Sequence, residues 1–205
     1  MNEAGKMLLA QIKAQTKVYH DELEQGLDIF HTVQTLADYT ALLHKFLGFY
    51  QPLEAQITLL QSHTALPLNF DPRKKSQLLQ RDLHVLDPHY QERHANPFCQ
   101  DLPELSNAAQ VCGSLYVLEG ATLGGTIIAK YIKEQFALSD MNGCSFFRSY
   151  GHEVGPMWHS FLEMLVAYAA SSQQEAQIID SARATFASLC QWLLSEPNLL
   201  LHKAS

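Results

Sequence analysis

The sequence predicts an all-α protein, a single-domain multi-helix bundle of about seven helices. Apolar residues recur at helical spacing through most of the chain, and Leu8, Ile12, Tyr19 and Leu23 share one face of a first helix. No segment alternates apolar and polar residues with the β-branched enrichment that is typical of strands. A chain of 205 residues can enclose one sizeable core, and no linker, repeat or low-complexity segment divides it. We therefore assign residues 1–205 to one domain, with a short tail from about residue 196.

The helices are expected in the following order. The first spans residues 2–30. Thr35 caps the second, with Asp38 three positions later in a near capping box, and this helix runs toward residue 60. A loop at 63–72 precedes a third helix at 73–86. Ser106 or Asn107 caps a long glycine-bearing helix that ends near residue 136. Two further helices are predicted at residues 150–170 and 173–194.

Composition and charge narrow the class of partner. The net charge of −7 argues against a nucleic-acid footprint and against an anionic membrane surface. We find neither an uninterrupted apolar run of the ~18 residues that a membrane span needs nor a secretory signal pattern. The four cysteines lack metal-type spacing, which favours buried reduced thiols. We therefore expect a cytoplasmic protein without nucleic-acid or membrane partners.

The least expected stretch is residues 113–128, which reads as a helix yet carries Gly120, Gly124 and Gly125 within six residues. Each interior glycine costs a helix about 1 kcal/mol relative to alanine. Glycines let another surface approach the backbone closely. The residues alone leave two explanations open: a close crossing with another helix, or a surface for a flat or bulky ligand.

A second pattern lies on the first helix, where Lys13, Lys17 and His20 are spaced to point the same way. Taken alone, this stripe is typical of a solvated helix face. Other helical-bundle chemistry is missing from the sequence. A di-iron carboxylate site needs Glu-x-x-His, which occurs nowhere in the chain. No phosphate-binding loop or Gly-x-Ser-x-Gly nucleophile motif is present either.

Several motifs together carry a family resemblance. Residues 16–24 (TKVYHDELE), 46–54 (FLGFYQPLE) and 116–125 (YVLEGATLGG) resemble, in this order, the three signatures of the heme oxygenase family. Residues 146–151 (FFRSYG), followed by Trp158, are similar to a further pattern of its short bacterial members. The chain resembles this bacterial, biliverdin-producing type over most of its length.

The resemblance implies that heme lies between the first helix and the glycine helix. His20 would be the proximal ligand of the iron. Gly120 and Gly124 would form the catalytic distal surface, with Gly125 also admitting the porphyrin. The remaining heme-binding candidates are Lys13 and Lys17, toward the propionates, Arg148 and His159, also as propionate partners, and Phe186, in the pocket lining.

The implied activity is oxidative cleavage of heme. Heme serves as both cofactor and substrate, O₂ and an external electron donor such as a ferredoxin or flavoprotein are consumed, and biliverdin, CO and iron are released. Ala121 departs from the family pattern, because well-studied members carry a water-organising aspartate at this position. Two alternatives therefore stay open. One is a heme-binding or heme-carrying protein without turnover. The other is a thiaminase-like hydrolase of similar architecture, with Cys112 or Cys190 as its nucleophile.

Overall fold

The computed structural model describes residues 3–87, 89–90 and 97–195. The helices are α1 (Glu3–Leu27), α2 (Ile29–Thr32), α3 (Leu36–Gln61), α4 (Ser76–Leu86), α5 (Ala108–Phe136), α6 (Ser145–Arg148), α7 (Val154–Tyr168) and α8 (Ser172–Leu194), with turns of 3₁₀ helix at Asp71–Arg73 and Gly151–Glu153. Within the described ranges there are six helices of 11 residues or more and no strand. The all-α prediction is confirmed. The predicted tail from about residue 196 lies outside the described residues.

The helix starts follow the capping residues in the sequence. The Thr35 hydroxyl accepts a hydrogen bond from the Asp38 N–H at 3.1 Å, and the Asp38 carboxylate accepts one from the Thr35 N–H at 2.9 Å. This reciprocal capping box begins α3 as predicted. Of the two caps proposed for α5, Asn107 is the one used, since its side chain accepts from the Gln110 N–H at 3.0 Å.

Three helix boundaries differ from prediction by three residues or more. The helix expected at residues 150–170 begins at Val154, because a turn of 3₁₀ helix occupies Gly151–Glu153. The first helix ends at Leu27 and not near residue 30, because Asp28 adopts the left-handed conformation at φ 33°. The third predicted helix begins at Ser76 and not at residue 73. Lys74 is extended, and the Glu54 carboxylate of α3 accepts the Lys75 and Ser76 N–H groups at 2.6 and 3.2 Å. Glu54 thus accepts two of the free N–H groups at the beginning of α4, which sets its start.

The packing of α5 and α8 organises the bundle. They cross so closely that a Cβ on Gly113 would lie 2.3 Å from the Ile178 carbonyl oxygen. Beside this crossing the Ser114 and Thr185 hydroxyls are 2.7 Å apart. α5 also packs on α6 and α7, while α8 packs on α1 and α3. Because α7 and α8 each contact both α1 and α5, they hold those two helices at a fixed spacing.

The apolar sequence of α5 is also typical of a membrane-spanning helix, and its burial distinguishes the two explanations. In the part of the chain that the structure describes, α5 is the one helix long and apolar enough to cross a membrane. Of its most apolar stretch, 56% is buried inside the protein. The hydropathy of α5 therefore matches its place at the centre of the bundle.

Candidate functional site

His20 lies on an accessible side of α1. Its side chain is 53% exposed, and the Glu24 carboxylate is 3.5 Å from Nδ1. Lys13 is also exposed, and Lys17 forms an ion pair with Asp21 one turn further along. The predicted stripe of two lysines and a histidine therefore exists on the surface of α1, and the imidazole can be reached by a ligand.

Phe186 connects this stripe to α8, the helix that packs against both α1 and α5. Its half-buried ring lies 5.9 Å from the His20 ring, centroid to centroid, with the two planes tilted by 59°. Arg183 stands one turn earlier on α8, 46% exposed and paired with Asp180 at 3.4 Å. The structure thus brings Phe186 to His20 and places a further cation within a turn of Phe186.

Gly120 and Gly124 present bare backbone on α5. A Cβ placed on Gly124 would meet no atom of the described chain within 4 Å. A Cβ on Gly120 would meet only the Trp158 ring, at an ordinary 3.6 Å. Packing within the fold therefore does not require glycine at either position. A close helix crossing therefore does not explain this pair, and the ligand surface stays a prediction.

Gly125 has a different role from the one the resemblance implied. It is buried, and a Cβ there would lie 3.0 Å from the Phe147 carbonyl oxygen of α6. The residue faces the segment that packs against α5 and not the open side. The reason is helical geometry, since successive residues are rotated by about 100° around the axis. The close-crossing explanation therefore applies to Gly125.

The open side of α5 is apolar beyond its glycines. Leu123 is 41% exposed and Ile127 65% exposed, and Ala121 is exposed as well. Contiguous exposed apolar side chains beside bare backbone favour a ligand with an extended apolar face. Ala121 brings no polar group to this surface.

Aromatic contacts close both ends of this open side. Toward the start of α5, the Trp158 ring of α7 lies 5.3 Å from the Tyr116 ring. Toward its end, the Phe30 and Tyr131 rings meet edge to face at 5.2 Å, and the Tyr131 hydroxyl donates to the Val33 carbonyl at 3.0 Å. Phe30 lies in α2, the short helix that follows α1, so this contact ties the chain just beyond the histidine-bearing helix to α5.

A buried ionic network lies directly before Gly120 in sequence. The Glu119 carboxylate is 1% exposed and receives Arg73 Nη1 at 2.5 Å and the Tyr150 hydroxyl at 2.8 Å. Lys75 Nζ is 3.7 Å from the same carboxylate and 3.8 Å from the centre of the Tyr150 ring. Burial lowers the pKa of Lys75 to about 8, against the opposing attraction of Glu119 and Glu54. Arg73, Lys75 and Tyr150, from two other segments of the chain, thus converge on the carboxylate of the residue directly before Gly120.

The two further propionate candidates have partners of their own. The Arg148 guanidinium binds Asp140, with Nε 2.6 Å from Oδ2, and Asp140 also binds Lys133 at 2.8 Å. These two cations hold the pKa of the Asp140 carboxyl below its usual range. His159 is 75% exposed on α7, with Nε2 3.2 Å from Glu163. The structure does not bring either residue into contact with His20.

The cysteines do not form a nucleophilic site. All four are buried free thiols. Burial raises the pKa of Cys112 to about 12 and that of Cys190 to about 11, and it also raises the pKa of Cys99 and Cys144. A thiol with a raised pKa is a poor nucleophile because the thiolate is the reactive form. These environments speak against the hydrolase alternative.

Two features of this region were missed from the sequence. Arg183 precedes Phe186 by three residues, and this helical spacing was a usable signal. No local sequence signal indicated the Glu119 network, because Arg73 and Tyr150 lie 46 and 31 residues away from Glu119.

Comparison with known proteins identifies the family. The family model described as heme oxygenase matches residues 6–195. No curated protein matches the chain. The matched region contains the histidine stripe of α1, the open glycine pair of α5 and Phe186 of α8. The chain belongs to the heme oxygenase family.

Proposed function

We propose that the protein is a heme-degrading monooxygenase of the biliverdin-producing type, which cleaves heme with O₂ and reducing equivalents to biliverdin, CO and iron. Family membership supports heme degradation as the general function. The observation that carries the proposal is the glycine pair of α5. Gly120 and Gly124 lower helix propensity without a packing need, and they lie beside exposed apolar side chains. The His20 imidazole on α1 is accessible as well.

The residues present fit heme. A porphyrin is flat and apolar with two carboxylates at one edge, and the site offers bare backbone, apolar side chains and cations. His20 would ligate the iron through Nε2, since Glu24 lies on the Nδ1 side of its ring. Phe186 would pack against the same face of the ligand. Lys13, Lys17 and Arg183 would attract the propionates as exposed, mobile cations.

Bound heme would supply the iron that activates O₂ and the ring that is oxidised. The chain's own residues define the two faces on which this happens. His20 would hold the ligand from α1, with its ring oriented by the Glu24 carboxylate and supported by Phe186. Gly120 and Gly124 would leave room for the ligand next to the α5 backbone, where water and backbone groups would be the polar neighbours.

The proposed conversion of heme and O₂ to biliverdin, CO and iron consumes reducing equivalents, which an external donor would supply. A ferredoxin or a flavoprotein is the class of donor we propose, with the reaction taking place in the cytoplasm. Iron release and bilin release would then follow oxidation of the ring in the same site.

Heme titration followed by reduction tests the proposal. The purified protein with one equivalent of heme should give a Soret band of a histidine-ligated complex. With ascorbate or a ferredoxin system and O₂, that band should disappear as a bilin band grows. A Soret band that persists under these turnover conditions would refute the oxygenase. It would favour the heme-carrying alternative, which the missing aspartate at Ala121 motivates.

A further inference from the structure

The segment of residues 147–151, which we name the brace, touches α5 on either side of the open glycine pair. At one end, the Phe147 carbonyl oxygen lies where a Cβ on Gly125 would be only 3.0 Å away. At the other end, the Tyr150 hydroxyl donates to Glu119 at 2.8 Å. Both contacts are on the buried side of α5. Gly120 and Gly124 lie between them, on the side that stays open.

The backbone of the brace is held in an unusual conformation. Ser149 has φ 49° and ψ −116°, which side-chain-bearing residues seldom adopt, and Gly151 has φ 61°. Ser149 Oγ is also buried without a hydrogen-bond partner in the described chain. Strained residues persist where their surroundings fix them, and they concentrate near functional sites. Here they flank Tyr150, and they turn its side chain toward Glu119.

The Glu119 carboxylate, which accepts the Tyr150 hydrogen bond, is also held by other contacts. The Glu119 carboxylate binds Arg73 and Tyr150, and Arg73 Nη2 also donates to Ser160 of α7 at 3.3 Å. A buried ion network of this kind is weak evidence for stability, because apolar residues of similar volume often stabilise a core equally well. In some proteins such a network fixes one geometry of the core.

We propose that Tyr150 and Glu119 are positioning residues that fix the backbone of α5 at Gly120 and Gly124 from its buried side. An oxygenase needs this backbone in a defined place, yet a side chain on the open face would occupy the ligand's space. The contact between Tyr150 and Glu119 on the buried side of α5 meets both requirements. The proposal rests on the proposed function, since the ligand whose distal surface is being placed is heme.

A purely structural role would predict something different. If the contact only stabilises the fold, losing it should act like losing any other buried tyrosine hydroxyl. Tyr39 provides the control, because it is fully buried and its hydroxyl donates to the Gly143 carbonyl at 2.9 Å and not to Glu119. Its ring stacks on Phe147 of the brace at 6.2 Å, and phenylalanine at position 39 keeps that ring contact. Tyr150→Phe and Tyr39→Phe each remove one oxygen atom and one hydrogen bond.

The first measurement is backbone amide hydrogen exchange in the heme-free protein. Loss of one buried hydrogen bond should speed local exchange about three- to tenfold. Tyr150→Phe should produce this increase at residues 119–125 and leave residues 108–113 of the same helix unchanged. Tyr39→Phe should change exchange at 119–125 less than twofold. Equal or uniform increases in the two variants would overturn the proposal.

The second measurement is the C–O stretching band of the reduced, CO-bound heme complex, which reports the surroundings of a distal ligand. Tyr150→Phe and Glu119→Gln should shift or broaden the band, whereas Tyr39→Phe should leave it as in the wild type. An unchanged band in both Tyr150→Phe and Glu119→Gln would also overturn the proposal. Glu119→Gln keeps the side-chain volume and serves if Tyr150→Phe does not fold.

The wild-type protein distinguishes failure of the proposed function from failure of the positioning proposal. If the wild-type protein gives no Soret band with heme, the oxygenase proposal fails, and so does the role of the brace in placing a heme surface. If the wild type binds heme and forms bilin but the variants match Tyr39→Phe, only the positioning proposal fails.

Discussion

Gly124 and Gly125 are adjacent in α5 but meet opposite surroundings. A Cβ on Gly124 would enter open space, whereas a Cβ on Gly125 would lie 3.0 Å from the Phe147 carbonyl oxygen. Gly124→Ala should therefore raise the free energy of unfolding of the heme-free protein by about 1 kcal/mol, the helix-propensity gain of alanine over glycine. The same change should impair the heme complex, because the new methyl group occupies the ligand face. Denaturant unfolding and heme titration measure the two effects.

Gly125→Ala is the control for this prediction. Its propensity gain is opposed by overpacking, which costs about 1–3 kcal/mol where a rigid neighbour must move. We expect no gain in the free energy of unfolding and a loss of up to about 2 kcal/mol, with the spectrum of the heme complex retained. If Gly124→Ala left both heme affinity and turnover intact, Gly124 would not line the ligand site.

Replacing His20 tests the iron ligand. His20→Ala should abolish or much weaken ligation, seen as a shifted Soret band, because the imidazole is removed from the face of α1. The fold should persist with a change in unfolding free energy of about 0.5 kcal/mol or less, since the side chain is 53% exposed. Circular dichroism and heme spectra separate the two effects.

His159→Ala offers a matched comparison, since both histidines pair with a glutamate four residues later, at 3.5 and 3.2 Å. It should leave the spectrum of the ferric complex unchanged. The assignment of His20 is wrong if the two variants give the same heme spectrum.

Local chemistry explains why the sequence predicted much of this fold. Thr35 and Asp38 begin α3 through contacts three residues apart, so the signal for the helix start lies within a single turn. The same holds for the stripe of Lys13, Lys17 and His20. Helical spacing alone puts these residues on one side, and the structure shows them there.

Long-range contacts explain what the sequence did not reveal. The start of α4 depends on Glu54, a residue more than 20 positions earlier, through its hydrogen bonds to Lys75 and Ser76. The role of Gly125 depends on α6, which no local pattern places against it. The break after α1 depends on a left-handed Asp28, and a carboxylate side chain at that position carries no unambiguous stop signal.

Propionate recognition by the cations of α1 can be tested with an uncharged substrate. Lys17→Ala should weaken heme binding about two- to fivefold, the range expected for an exposed ion pair of 0.5–1 kcal/mol. Binding of heme dimethyl ester should not change, because its carboxylates are masked. Lys130 is exposed on α5, and Lys130→Ala serves as a charge-matched control. Equal losses for heme and its dimethyl ester would contradict a propionate role and indicate a packing effect of the lysine stem.

Lys75 should give folding stability a specific dependence on pH. Burial lowers its pKa to about 8 from the ordinary 10.5, so between these values the unfolded chain binds more protons than the folded one. The contribution of Lys75 to the free energy of unfolding should therefore rise as pH increases from 8 to 10.5, by up to about 3 kcal/mol. Below pH 8 the cost of burying the charged ammonium is fully present.

Denaturant unfolding of the wild type and Lys75→Met at pH 7, 8, 9 and 10 isolates this contribution. The difference, wild type minus variant, should increase steadily above pH 8. Lys74→Met removes the neighbouring lysine, which binds Asp71 at 2.8 Å near the surface. Its difference from wild type should stay constant to within about 0.5 kcal/mol across the series. A flat difference for Lys75→Met would mean that Lys75 stays charged beside Glu119 throughout this range, and that the pair is more strongly coupled than the burial of Lys75 implies.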